Sequence, residues 1–143
     1  NMQRMISESV LDPKVRELAV EITSKSDDPI ASVYDWVKST VRYVGDPMSI
    51  ELITSPIRMV TDFREGKSLQ EDCDGHALFV TALLRSIGIK AHVAILDVKG
   101  EGWDHAVTVA YSTKLGKEIF VDTTSSKPLG WSEQYKNRYD VGV

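Results

Sequence analysis

Residues 70–88 read QEDCDGHALFVTALLRSIG and contain the only cysteine in a chain of 143 residues. Beyond Cys73 the apolar positions recur at helical spacing. Ala77, Val80, Thr81, Leu84 and Ile87 form one face, and Leu78 and Leu83 widen it. The spacing predicts a helix from Cys73 to about Gly88. Cys73 therefore stands at the mouth of a helix, between Asp72 and Asp74, rather than inside it. Unpaired backbone N–H groups and the positive end of the helix dipole favour an anionic sulfur there. The two aspartates pull the other way, so the helix alone does not suffice to make a nucleophile.

Upstream, two helix starts use the same device, an Asp cap followed by Pro. Asp12–Pro13 opens a helix with Val15, Leu18, Ala19 and Ile22 on one face; Asp28–Pro29 opens another with Ile30, Val33, Val37 and Val41, and Tyr34 beside them. A third, shorter helix is predicted from Ser55 to about Gly66. Downstream the period changes to two: IKAHVAILD, HAVTVAY and EIFVD read as strands, with STKLGK as a turn. The tail from Thr124 carries Trp131, Tyr135 and Tyr139 without a clear period. Helices first and an antiparallel meander after them make an α+β fold, helices packed on the sheet.

The length sets a single domain over residues 1–143: an N-terminal helix (1–27), a core (28–124) and a C-terminal extension (125–143). A formal net charge of −4 gives no basic footprint for nucleic acid or an anionic membrane. No apolar run approaches the ~20 residues that span a bilayer, and no signal peptide is visible, so a soluble chain is expected, with its compartment left open between cytoplasm and virion. A lone cysteine excludes an internal disulfide and leaves Cys73 either inert or chemical.

Two further residues give that thiol company. His105 opens one predicted strand and Asp122 closes the next. If the hairpin turns over Ser112 to Leu115, Tyr111 faces Gly116 and His105 lies directly opposite Asp122. Side chains so paired have Cβ atoms roughly 4.5–5.5 Å apart, within reach of an imidazole–carboxylate bond. A slip of one residue would separate them onto opposite faces. Val107, Val109 and Phe120 share that face, which is expected to point inward, toward the helix of Cys73. A thiol nucleophile, an imidazole base and a carboxylate that orients it are the parts thiol catalysis needs.

These residues resemble the transglutaminase-like superfamily of cysteine enzymes, papain-like in core layout. The pieces that carry the likeness are YDWVKSTVRYV, DCDGHALFVTALLRSIGI, DHAVTVAY and FVDTT, spanning about Ile30 to Thr124. The resemblance implies Cys73 as nucleophile, His105 as base and Asp122 as its orienting acid, with no cofactor. Three positions depart from the pattern. Glu71 stands where Gly is usual, Thr123 where Pro is, and His92 where Arg is common. Asp74–Gly75 and the segments YVGDP and ELITSP look most like short bacterial and phage versions.

Other residues could complete or replace this site. Tyr43, Trp36 and Gln70 are candidate oxyanion donors, with core packing the simpler role for Trp36 and a solvated loop for Gln70. Trp103 could roof the site, and His76, though expected to be exposed, shares a side of the helix with Cys73. A zinc site from Cys73, His76, His105 and Asp122 is a rival, weakened by the lack of a second close pair. Asp72 and Asp74 could bind calcium, although an acidic helix start explains them equally. The expected activity is attack on a peptide or protein amide through an acyl-thioester, resolved by water. The alternatives are an amine acceptor, as in a crosslinking transglutaminase, or a silent domain serving as part of a larger, perhaps phage-type, assembly.

Overall fold

The computed structural model describes residues 2–45 and 53–142; the end of the YVGDP segment and the start of ELITSP lie outside them. Five helices are present among the described residues: α1 (Met2–Val10), α2 (Pro13–Thr23), α3 (Pro29–Thr40), α4 (Pro56–Arg64) and α5 (Cys73–Ser86). The strands are β1 (Val41–Tyr43), β2 (Leu69–Glu71), β3 (Ala91–Asp97), β4 (His105–Ser112), β5 (Lys117–Val121) and β6 (Asn137–Asp140). The caps follow the chemistry of the sequence. Asp12, Asp28 and Ser55 each accept a backbone N–H of the first turn, with Pro as the next residue.

Helix α5 is the centre of the fold. Its residues from Gly75 to Leu84 are all buried, with α1, α2, α3 and α4 against it on one side and β3 and β4 on the other. Burying a Leu, Val or Phe fully is worth about 1.5–3 kcal/mol, and Leu78, Phe79, Val80, Leu83 and Leu84 are all 0% exposed. The sheet is antiparallel throughout in the order β5-β4-β3-β6. Small β4 residues meet the helix: Thr108 donates to the Ala77 carbonyl at 3.0 Å and pairs with the Thr81 hydroxyl at 3.0 Å.

Several expectations are corrected here. The first 27 residues hold two helices rather than one. Val41–Tyr43 leaves helix α3 to pair, in parallel, with Leu69–Glu71; runs of three residues carry too little periodicity to be read. The tail contributes β6, which pairs with β3. His92 of β3 is buried and bonded to Asp140 of β6 at 2.8 Å, which ties the two strands together.

The β4–β5 hairpin is shifted by two residues from the expected register, with Tyr111 facing Glu118 rather than Gly116. Gly116 adopts φ +68° and closes the turn onto the Ser112 carbonyl, so it belongs to the loop and not the strand. A shift of two keeps each side chain on its face. His105 and Asp122 thus remain on one face as diagonal rather than direct neighbours. That face is also turned the other way from the expectation. Thr108 points at α5, so Val107 and Val109 lie on the far side, clustered with Ala94 and Leu96 and flanked by Phe120.

Candidate active site

Asp72 caps α5, its carboxylate accepting the Gly75 N–H at 3.0 Å. This fixes Cys73 as the first helical residue, half-buried and unbridged. At that position its N–H has no acceptor within its own helix. Cys73 packs against the cluster of Ile6, Ala77, Leu78, Val93 and Ala106, which joins the first turns of α5 to the start of β4. His105 is the residue before Ala106. From the end of the strand its ring meets the thiol, even though the face it shares with Val107 looks away from the helix.

His105 Nε2 lies 2.9 Å from Asp122 Oδ2, which leaves Nδ1 as the nitrogen for Cys73. Burial opposes a charged ring, but hydrogen bonds to Asp122 and Cys73, with their electrostatic pull, raise the His105 pKa to about 10. For Asp122, itself buried, desolvation acts upward and is outweighed by the bonds from His105 and Thr124, so its pKa falls below the usual carboxylate value. The Thr124 N–H and hydroxyl both donate to Asp122 Oδ1, at 3.0 and 2.6 Å. The arrangement is therefore an imidazole held by a carboxylate, with both Asp122 and Cys73 favouring its protonated form. Thr124 was missed in the sequence; the pattern Asp-Thr-Thr, an Asx-type turn, was the signal that could have found it.

Tyr43, at the end of β1, is 49% exposed. Burial first, and then the charges of Cys73, Asp72 and Asp122, push its phenol pKa upward, so it stays protonated and able to donate. An open groove of about 470 Å³ runs beside the site, lined by Tyr43, His105 and Asp122 and by Lys127, Trp131 and Glu133 of the following segment. That wall comes from the tail, whose lack of period hid it.

The remaining candidates are dispersed. Trp36 packs edge-on between Phe63, 5.0 Å away, and Phe79, 6.1 Å away, in the core. Gln70 is exposed on β2 opposite Arg42. Trp103, 58% exposed, lies outside the lining of the groove. Asp74 occupies the first turn of α5, beside Cys73. His76, expected to be exposed, is only 2% exposed and bonds Thr123. Among the described residues no three His, Cys, Asp or Glu side chains are grouped to hold a metal ion, because His76 is turned to Thr123 while His105 is held by Asp122.

Two of the departures acquire physical reasons. The Glu71 side chain lies over Gly75, where a Cβ would overlap its carboxylate and sit 2.8 Å from its Cβ. A glycine in the helix makes room for the glutamate, whose pKa is raised chiefly by burial against hydrogen bonds from Thr54. Thr123 supplies a hydroxyl to His76 that Pro lacks.

An α+β core with a cysteine at the tip of its central helix and a His–Asp pair at the sheet end defines a class of thiol-enzyme folds. The chain belongs to the transglutaminase-like superfamily, whose family profile matches residues 16–133. It is similar in fold to a candidate protease from Parabacteroides distasonis, with TM-score 0.66 and 15% identity over 89% of this chain and 25% of that one. A candidate cysteine protease from Cytophaga hutchinsonii gives TM-score 0.61 and 20% identity over 96% and 53% of the two chains. LapG of Legionella pneumophila gives 0.56 and 16% over 90% and 76%. The chain thus spans a quarter of the first relative and about half of the second. No curated protein matches the sequence. No helix among the described residues is long and apolar enough to cross a membrane.

Proposed function

We propose that the protein is a thiol-dependent amide-bond hydrolase in which Cys73 is the nucleophile, His105 the acid and base, and Asp122 the group that orients and charges the imidazole. The observation that carries this reading is the His105 ring, bonded to Asp122 at 2.9 Å and drawn toward protonation by Asp122 and by Cys73 at the tip of α5, beside an open groove.

The proton of Cys73 passes to His105 as substrate is attacked, and Asp122 balances the imidazolium that forms. The thiolate attacks the amide carbonyl, and a C–S bond forms as the carbonyl oxygen takes the charge. The Cys73 N–H and the Tyr43 phenol are the donors available to that oxyanion. Collapse breaks the C–N bond, and the imidazolium gives its proton to the departing amine. Water, deprotonated by His105, then attacks the thioester. The acid leaves, and the thiolate–imidazolium pair is restored. Hydrolysis is favoured over amine transfer because the groove is open to water.

A thiol-directed amide-mimic probe at neutral pH tests this. The parent is expected to label at Cys73 and Cys73→Ala not at all. Equal labelling of both proteins would overturn the assignment. Product analysis with a primary amine in excess separates hydrolysis from transfer: an amide adduct in place of free acid would favour the transferase.

A further inference from the structure

Cys73 and Asp122 come from different elements, a helix tip and the end of a strand, so their separation depends on how those elements are fastened. We propose that His76 is the positioning residue that fastens them, clamping the first turn of α5 to the segment carrying Asp122. The inference rests on the roles given above to Cys73, His105 and Asp122.

His76 is three residues beyond Cys73, a rise of about 4.5 Å along a rigid helix. Its Nδ1 lies 2.8 Å from the Thr123 hydroxyl. Thr123 sits between Asp122 and Thr124, the residue that donates twice to the Asp122 carboxylate. One contact therefore links the backbone of the thiol to that of the acid. The other edge of the ring meets Tyr43, with centroids 6.1 Å apart and planes at 68°. His76 thus touches the supports of three parts of the site and none of the reacting atoms.

An apolar residue would fill this space at less cost, since burying an imidazole is unfavourable unless it is well bonded. His76 is buried with Nε2 short of any full hydrogen bond. The Arg42 carbonyl is the backbone group that pulls on the ring. With a carbonyl on that side and a hydroxyl on the other, the neutral ring carries its proton on Nε2 and accepts from Thr123 at Nδ1. Burial holds the pKa of His76 below its usual value against the pull of Arg42 and the charges of Asp122 and Asp72. A neutral ring places no second imidazolium beside the Asp122–His105 pair.

The test is the pH dependence of Cys73 alkylation by iodoacetamide, with circular dichroism and thermal melting as folding controls. The parent is expected to react readily below about pH 7, as a thiolate–imidazolium pair does, whereas an unassisted thiol gains reactivity only around pH 8.5. Thr123→Val keeps the shape and removes the hydroxyl; His76→Phe keeps the ring and removes Nδ1. Both are expected to lose roughly tenfold or more of the low-pH rate while staying folded, and His76→Asn, whose amide can still meet Thr123, to retain most of it. Should His76→Phe fail to fold, Thr123→Val carries the test. Undiminished low-pH reactivity in Thr123→Val overturns the clamp and leaves the thiol enzyme standing. A parent with no low-pH reactivity overturns both.

Discussion

At the scale of single residues, charge governs this site. His105 is surrounded by groups that all prefer it protonated, and their sum exceeds the cost of burying its charge. Asp122→Asn removes the first of those partners and leaves Cys73. The imidazole of the parent is expected to titrate near 10 by NMR, and that of the variant well below it, toward the ordinary value of about 6.5. An unchanged titration would mean that Asp122 does not hold the charge. Cys73, His105 and Asp122 could be singled out as candidates in the sequence because each combines a chemical side chain with a predicted element boundary. Thr124 and the burial of His76 were not. A hydroxyl or an imidazole in the first turn of an element looks the same in sequence whether it meets water or a partner from elsewhere in the chain.

At the scale of elements, the seam between α5 and β4 sets the geometry of the site, because it aligns the helix tip with the strand start. Its polar centre is the pair Thr81–Thr108, both 0% exposed. Thr108→Val is nearly isosteric but leaves the Thr81 hydroxyl buried without its partner, so unfolding stability is expected to fall by about 1–3 kcal/mol. The double variant Thr81→Val/Thr108→Val removes both hydroxyls and is expected to recover most of that loss, as a denaturant double-mutant cycle would show. Helices α2 to α5 were readable from their caps and period, since those signals are local, whereas α1 was not. The hairpin register was not: a four-residue loop can close on Ser112–Leu115 or one position later, and the positive φ of Gly116 decides it.

At the scale of the whole molecule, the titrating groups give stability a limit on each side. His105 is raised from 6.5 to about 10, so its contribution is complete below about 6.5 and fades as pH climbs through 10. Asp122 has a lowered pKa, so its contribution is present above the usual carboxylate value and is lost as pH falls through its folded value. His76, buried and neutral, must be charged in the unfolded chain below about 6.5, so it too weakens the fold in acid. Melting temperature plotted against pH should therefore peak near pH 6.5 and fall on both sides. Removing the imidazole in His76→Phe should flatten the shoulder that begins below about pH 6.5 while leaving the steeper acid limb of the carboxylates. A shoulder of the same depth in that variant would show that His76 is not buried neutral.

The sequence by itself determined helices α2 to α5, the change of period to strands and the α+β class, because caps, apolar spacing and side-chain type act over a few neighbours. Only the tertiary structure decided the register of the hairpin, the turn of the buried Val107–Val109 face away from α5, the placement of Tyr43 on a short strand and the enclosure of His76. Those depend on which distant surfaces find one another, and the free energy that selects them is spread over the buried seam between helix and sheet rather than written into any one segment.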